Sequence, residues 1–212
     1  HKVSRILERI KFDVLYIADS LGCCFPEDIS RIVKNLLAIC KMPIGIHSHD
    51  NKGLALANTL SAMNAGATFL DSTILGMGRG AGNTKTEELL PIVSNRNIED
   101  YLYLSEYIKE YQEPLKRDKK WGNSIYYSIS SKFKLHPTFI QEMSSENKFK
   151  PIDILSFIKN LSSIDSEKFS QSMYDDIINP YKEHNPSNWT PIEILKDKDI
   201  LLLGSGPSLT YH

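Results

Sequence analysis

Residues 42–50 read MPIGIHSHD, an apolar run that ends in two histidines and an aspartate. Because side chains alternate between the two faces of a strand, His47 and His49 would lie side by side at the end of one strand, with room left on the same face by Gly45. Two imidazoles held in this way are a pair of ligands for a divalent metal. We interpret the segment as part of a metalloenzyme, with a structural, hydrogen-bonded histidine pair as the alternative.

Short apolar segments alternate with helical patterns on both sides of this run. We predict strands over 14–18, 44–47 and 68–74, and helices over 26–40, 53–65 and 86–93. This alternation is typical of a parallel α/β sheet. Polar residues follow each predicted strand, and in α/β barrels the loops at the carboxyl ends of the strands carry the chemistry.

The second half of the chain is predicted to be mainly helical, over 98–146 and 150–178. Tyr103, Tyr107 and Tyr111 recur at intervals of four residues, which places them on one side of a helix. We expect this stripe to be a packed helix face in preference to a binding surface.

Composition excludes several classes of protein. The 212 residues carry a formal net charge of -1 and are 41% hydrophobic, so nucleic acid and anionic membranes are not expected partners. No apolar run approaches the roughly 20 residues that cross a bilayer, and no secretory signal is visible.

Cys23, Cys24 and Cys40 do not make a disulfide framework. The adjacent Cys23 and Cys24 could bind a metal or react, but reduced thiols in a cytoplasmic protein are the simpler expectation.

Two further polar groups lie after predicted strands. Asp19, followed by Ser20, could hydrogen-bond a ligand imidazole or move a proton, or it could simply cap the next helix or turn. Residues 76–83 read GMGRGAGN, in which alternating glycines allow the backbone to approach a ligand closely, or make a flexible loop. The spacing is neither a Rossmann fingerprint nor a P-loop. Asn83 could cap the following helix or point its amide oxygen into the site.

Several motifs, taken together, resemble those of the 4-hydroxy-2-oxovalerate aldolases. They are DSLG at 19–22, HSHDN at 47–51, GLALAN at 53–58, AGA at 65–67, DST at 71–73 and GMGRGAGN at 76–83. These aldolases belong to the superfamily of metal-dependent pyruvate aldolases, HMG-CoA lyases and isopropylmalate synthases. The resemblance implies the C-terminal portion of a TIM (β/α)8 barrel, with the three strands as its sixth to eighth, followed by a mainly helical tail.

The resemblance also implies the roles of individual residues. His47 and His49 would be the paired ligands of a divalent metal, most often Mn²⁺ or Mg²⁺. The family's Asp ligand and its neighbouring Arg belong to a first strand that lies outside this chain. Asn83 matches a ligand or near-ligand of the lyases, and Asp19 and Ser20 match the polar pair on the substrate side of the sixth strand.

Two later segments resemble other proteins. WGNSIYYS at 121–128 and LHP at 135–137 resemble the helical tail of an aldolase-like subgroup. A tail tyrosine reaches the active site in characterised aldolases, which makes Tyr126 a candidate, with ordinary aromatic packing as the alternative. ILLLGSGPS at 200–208 resembles the start of proteins related to 6-hydroxymethylpterin pyrophosphokinase, or it is a plain strand and turn.

We therefore divide the chain into four segments. These are part of a TIM-barrel aldolase domain (1–95), a helical tail packed on the barrel (96–178), a Pro- and Asn-rich linker (179–195), and the start of a nucleotide-binding-type domain (196–212). Since the chain has no initiator Met and ends in this segment, we expect it to be an interior fragment of a longer protein.

The hypothesis that follows is a metal-dependent aldolase acting on a small 2-oxo acid and an aldehyde through a pyruvate-type enolate. One alternative is an acyl-CoA-dependent Claisen synthase or lyase of the same superfamily, and another is a non-catalytic barrel module attached to a second domain. Oligomeric state, metal identity and the aldehyde stay open. Because three strands cannot close a barrel of eight, we expect the chain alone to be inactive and the full-length protein to be an enzyme.

Overall fold

The computed structural model describes residues 12–145 and 149–182, and within them a parallel three-stranded sheet has the order β1-β2-β3. The strands are β1 (Leu15–Asp19), β2 (Ile44–Ser48) and β3 (Phe69–Leu70), and the helices that follow them are α1 (Pro26–Leu37), α2 (Ala55–Asn64) and α3 (Thr86–Val93). The predicted parallel α/β arrangement is confirmed. Because the strands are parallel, their carboxyl ends meet at one edge of the sheet.

Capping contacts define where α1 and α2 begin. Pro26 occupies the first turn of α1, where its missing N–H costs nothing, and the Asp28 carboxylate accepts a hydrogen bond from the Phe25 N–H at 3.3 Å. At α2, the Asp50 carboxylate accepts a hydrogen bond from the Ala55 N–H at 3.0 Å. Asp50 therefore satisfies a helix N–H that would otherwise lack a partner.

The two faces of the sheet have different surroundings. On one face, Ile44 and Ile46 are completely buried in an apolar core that α1 and α2 complete. On the other face, Tyr16 is 44% exposed and Phe69 is 42% exposed. The Tyr16 ring lies directly over Gly45, where a Cβ would come within 2.6 Å of it. The space left by Gly45 is therefore filled by an aromatic ring.

The third strand is shorter than the predicted 68–74, since two residue pairs join β3 to β2. Soon after it, Leu75 has a φ of +52° within a 3-10 turn at Ile74–Gly76. Between β3 and this turn, the Thr73 N–H donates to the Thr84 carbonyl at 2.9 Å and the Thr73 carbonyl accepts a hydrogen bond from the Thr86 N–H at 3.0 Å. The backbone therefore pairs there with the residues after the glycine-rich segment instead of with β2. Helix α3 has the predicted bounds, and α1 and α2 are shorter than predicted.

The following segment is helical, as predicted, but is broken into several pieces. They are a 3-10 helix (Ile98–Tyr101), α4 (Leu102–Tyr107), a π-helical turn (Ile108–Gln112), α5 (Glu113–Lys119), α6 (Ile125–Lys132), α7 (Pro137–Ser145), α8 (Pro151–Leu161) and α9 (Gln171–Lys182). Phe139, Met143 and Phe157 are fully buried between the later helices. These aromatic and sulfur-containing side chains give the tail a core of its own.

The tyrosine stripe does not form the packed face that we expected. Tyr103 is 79% exposed, Tyr107 43% and Tyr111 56%, although the Tyr107 and Tyr111 rings lie 5.4 Å apart. A helical period shows which side chains share a face but not whether another element covers it. The prediction of a packed face is wrong for the described part of the chain.

The expected linker and second domain are largely outside the described residues. Contacts divide the chain into two units, His1–Ile178 and Asn179–His212, and of the second unit the structure describes 179–182, the last turn of α9. The predictions for 196–212 lie outside the described residues. Among the helices that are described, none is both long and apolar enough to cross a membrane.

Candidate active site

His47 and His49 lie together at the carboxyl end of β2. Their ring centroids are 4.9 Å apart, and the ring planes meet edge to face at 80°. Alternation along the strand places both side chains on one face, which is the arrangement expected from the sequence. Both rings are half-buried, so each retains an edge that solvent or a ligand can reach.

The hydrogen bond made by His49 defines its tautomer. Its Nδ1 lies 2.9 Å from the backbone carbonyl oxygen of Asp19. A carbonyl oxygen only accepts, so Nδ1 carries the proton and Nε2 keeps its lone pair. Burial lowers the pKa of His49 below its ordinary value, which favours the neutral ring. A neutral imidazole with a free Nε2 is the form that binds a metal.

A carboxylate orients His47 in the same way. The His47 Nδ1 lies 3.1 Å from Oδ2 of Asp71, which directly follows β3. A carboxylate behind a histidine fixes the ring and increases the basicity of its other nitrogen. The DST motif at 71–73 did not predict this role of Asp71. Tyr16, which hydrogen-bonds the same carboxylate, was not predicted either; burial and the nearby Asp71 carboxylate raise the pKa of this tyrosine.

Asn83 lies directly opposite His49 in an isolated antiparallel bridge. Backbone hydrogen bonds flank the two residues without joining them, from Asp50 N–H to the Gly82 carbonyl at 2.8 Å and from Thr84 N–H to the Ser48 carbonyl at 3.3 Å. In such a non-hydrogen-bonded pair the two side chains are close and share a face. The Asn83 side chain is therefore a neighbour of the histidine pair.

The Asn83 side chain is held in place by its amide nitrogen and not by its amide oxygen. Its Nδ2 donates to the Met77 carbonyl at 3.1 Å, while its Oδ1 is buried and has no hydrogen-bond partner among the described residues. At Gly78 a Cβ would lie 2.4 Å from this Nδ2, so the absence of a side chain lets the amide sit there. The position before α3 is Lys85, which excludes a helix-capping role for Asn83.

These donors fit a divalent cation. Among the described residues, His47 and His49 make their hydrogen bonds through Nδ1, which leaves the Nε2 of each ring for a metal, and Asn83 adds a buried oxygen that needs a positively polarised partner. Imidazole nitrogen with oxygen is a common ligand set for Mn²⁺, Fe²⁺ and Zn²⁺.

Asp19 is the last residue of β1, and Ser20 follows it at the same edge of the sheet. The Asp19 carboxylate accepts hydrogen bonds from the backbone N–H groups of Cys23 (3.1 Å) and Cys24 (3.3 Å), so it caps the turn. Its contact with His49 is through the main-chain oxygen and not through the carboxylate. Ser20 is exposed, and its carbonyl accepts a hydrogen bond from Arg79 Nη2 at 3.4 Å.

The helical tail docks onto the glycine-rich loop. Trp121 donates its indole N–H to the Leu75 carbonyl at 3.0 Å, and the Gly122 N–H donates to the Gly80 carbonyl at 3.0 Å. The Tyr127 ring lies against Gly80, where a Cβ would come 3.1 Å from the hydroxyl oxygen. Burial raises the pKa of Tyr127 to about 12.

Tyr126 and Tyr127 both line a cavity of about 690 Å³, with Lys116 and Asn123 among its other walls. His47 and His49 do not line this cavity. Successive helical residues point about 100° apart, so neighbouring positions reach different places. The tail tyrosine that contacts the glycine-rich loop is Tyr127, one position beyond the sequence candidate.

Comparison with known proteins finds the HMGL-like family model over residues 2–143. A 4-hydroxy-2-oxovalerate aldolase of Carboxydothermus hydrogenoformans is 31% identical over 182 residues, which are 82% of this chain and 52% of the relative. An oxaloacetate decarboxylase of Mycobacterium tuberculosis is 43% identical over 83 residues, 39% of this chain and 25% of the relative.

Among solved structures, the N-terminal domain of a Bacteroides vulgatus protein assigned as an aldolase superposes with a TM-score of 0.62 at 29% identity. The match covers 76% of this chain and 51% of that one. The chain thus spans about half the length of the Carboxydothermus and Bacteroides proteins that it matches.

Proposed function

This chain belongs to the HMGL-like family, and from that membership we propose that it supplies the histidine ligands and the glycine-rich loop of a divalent-metal-dependent aldolase. The reaction would form or cleave a carbon–carbon bond next to a 2-oxo acid. The observation that carries the proposal is the oriented histidine pair, in which both Nδ1 atoms are hydrogen-bonded, so that each ring offers its Nε2 to a metal.

His47 and His49 would hold the metal, with the Asn83 amide oxygen as a further donor. Mn²⁺ suits this mixture of nitrogen and oxygen ligands, and Mg²⁺ is the alternative. When bound, such a cation supplies a Lewis acid that polarises a keto oxygen and stabilises the enolate charge of the reaction.

The chain's own residues prepare the site for that charge. The Asp19 carbonyl and the Asp71 carboxylate hold both imidazoles by Nδ1, which fixes the rings before substrate arrives. Arg79 is tied to the Ser20 carbonyl at the same edge of the sheet, and its guanidinium suits a substrate carboxylate. The Tyr127 phenol stays protonated at neutral pH, so it can donate a hydrogen bond near Gly80.

The test is metal content and deuterium exchange into pyruvate, measured on the full-length protein. We expect bound metal and solvent exchange in the wild type, and loss of both in a His47→Ala/His49→Ala variant. His136→Ala is the matched control, because His136 contacts the start of α7 through the Thr138 N–H at 3.4 Å and makes none of the contacts of the pair. A double variant that kept wild-type metal content and exchange would refute the proposal.

A second activity is favoured by the relative from Mycobacterium tuberculosis, which carries the name oxaloacetate decarboxylase. Decarboxylation of oxaloacetate and cleavage of a 4-hydroxy-2-oxo acid both leave a pyruvate enolate, so the same residues serve either. Product formation from the two substrates, assayed side by side, separates them. Consumption of acetyl-CoA would instead indicate the Claisen-type alternative, and a metal-free, inactive wild type would indicate a non-catalytic module.

A further inference from the structure

A second cluster of metal-ligating side chains lies immediately after β1. The Asp19 carboxylate and the thiols of Cys23 and Cys24 have ligand atoms that all lie within 4.8 Å of one another. Asp19 is 5% exposed and the two cysteines are half-buried. None of these three side chains takes part in holding the histidine rings, because Asp19 reaches His49 with its main-chain oxygen.

The turn after β1 brings both cysteines back to Asp19. The Gly22 N–H donates to the Asp19 carbonyl at 3.0 Å, and Gly22 has a φ of +57°, which turns the chain back towards Asp19. In this segment the Cys24 thiol lies within hydrogen-bond contact of the Cys23 thiol.

The backbone of this loop is held from two sides. The Asp19 carboxylate accepts hydrogen bonds from the N–H groups of both cysteines, and Lys52 donates to the Cys23 carbonyl at 2.6 Å. Lys52 is itself held over the Phe25 ring at 3.9 Å. Ligands on a loop held in this way need little ordering when a cation binds.

We propose that Asp19, Cys23 and Cys24 form a binding site for a thiophilic divalent cation of the Zn²⁺ type, separate from the histidine pair. Two sulfurs and one carboxylate oxygen are three of the four ligands of a tetrahedral zinc site, and water completes it. Donor atoms around one Zn²⁺ lie about 3.8 Å apart, so small side-chain rotations close the present spacing. Sulfur ligands discriminate against Mg²⁺ and Mn²⁺.

A bound divalent cation would neutralise the negative charge that the Asp19 carboxylate and the cysteine thiolates carry when they act as ligands. The cation would fix the side chain of Asp19, the residue whose carbonyl accepts a hydrogen bond from the His49 Nδ1–H. The two sites would then share one residue without sharing a ligand.

Cadmium, which gives an ultraviolet thiolate-to-metal absorption, is the probe. Titration of the reduced full-length protein should show one cysteine-bound Cd²⁺ per chain, and Cys23→Ser and Cys24→Ser should each weaken it by about tenfold or more. Cys40→Ser is the matched control and should bind as the wild type does. A His47→Ala/His49→Ala variant should keep the absorption, because the histidines are not ligands here.

Two results would overturn the proposal. One is unchanged Cd²⁺ affinity in both Cys23→Ser and Cys24→Ser, and the other is loss of the absorption in the histidine double variant. A measurement on the wild-type sequence avoids any folding defect: Zn²⁺ should protect Cys23 and Cys24, but not Cys40, from iodoacetamide, as read by peptide mass. Equal alkylation of Cys23 and Cys24 with and without Zn²⁺ would contradict the site.

Discussion

The histidine pair and the cysteine pair lie on either side of Asp19 and are built by different means. His47 and His49 are two residues apart on a strand, so the pleat alone places them on one face. Cys23 and Cys24 are adjacent in an irregular segment, and they lie beside Asp19 because the chain turns at Gly22. A ligand pair on a regular strand can therefore be predicted from the sequence, whereas a ligand pair whose position depends on a turn cannot.

The pairs also differ in what Asp19 gives to each of them. The carbonyl oxygen of Asp19 orients His49, and its carboxylate faces the cysteine loop. If the two sites are independent, variants should separate them, with Mn²⁺ reporting on the nitrogen and oxygen ligands and Cd²⁺ on sulfur.

The largest difference between Mn²⁺ and Cd²⁺ binding is expected from His49→Ala, which removes a direct ligand of the histidine site. Loss of an outer-shell partner typically costs about 10–100-fold in metal affinity, so we expect Mn²⁺ affinity to fall by more than about 100-fold. Cd²⁺ absorption at the cysteines should be unchanged. Electron paramagnetic resonance of free Mn²⁺ measures the Mn²⁺ affinity. Simultaneous loss of Mn²⁺ binding and of the Cd²⁺ absorption would mean that the chain holds a single site.

Asp71→Asn should have the next largest effect, again on Mn²⁺ alone. The variant keeps the size of the side chain but removes the charge behind His47 Nδ1. We expect Mn²⁺ affinity to fall by about 10–100-fold. Asp118→Asn, at an exposed acid paired with Lys119, is the control. Equal affinities of the two variants would show that Asp71 does not support the ligand.

Asp19→Asn should weaken Cd²⁺ binding and leave Mn²⁺ binding nearly unchanged. It leaves the main-chain carbonyl that holds His49 but replaces one carboxylate oxygen facing the cysteine loop. We expect Cd²⁺ affinity to fall by about tenfold and Mn²⁺ affinity to change by less than about twofold. Calorimetric titration with each metal checks this, and a larger loss for Mn²⁺ than for Cd²⁺ would reverse the assignment of the Asp19 side chain.

Gly78→Ala should produce the smallest change. Its Cβ would meet the Asn83 Nδ2 at 2.4 Å and push the amide from its place. Overpacking costs about 1–3 kcal/mol of stability, and we expect a several-fold weaker Mn²⁺ site. In an Asn83→Ala background the same change should cost little, because the clashing amide is gone. An equal cost in both backgrounds, measured by urea unfolding, would contradict this explanation.

Regular elements of the fold were the predictable part. β2 and α3 follow from the run at 42–50 and the pattern at 86–93, because apolar period and caps report backbone conformation directly. β3 was overestimated because the second half of the predicted strand pairs with residues 84–86 instead of with β2, which is a tertiary contact with no local sequence signal. The tyrosine stripe was misjudged because what covers a helix face is a tertiary property.

Some residues of the candidate site were likewise predictable from the sequence, and others were not. His47 and His49 were predictable from strand alternation, and Asn83 from the end of the glycine-rich loop. The hydrogen bond from His47 to Asp71 joins residues 24 positions apart, and nothing in either local pattern indicates it. Tyr127 instead of Tyr126 at the loop depends on the rotation of α6, since one position moves the side chain by about 100°. Contacts between loops need the fold before they can be predicted.

The two hydrogen bonds that join Trp121 and Gly122 to the carbonyls of Leu75 and Gly80 have a consequence for protein engineering. Residues 75–83 and residues 121–128 of the helical tail are one exchangeable unit, because each completes the other's hydrogen bonds. A chimera that imports 75–83 from a relative with a different tail would leave polar groups without their partners. Exchange of 75–83 is therefore expected to succeed only when 121–128 is exchanged with it.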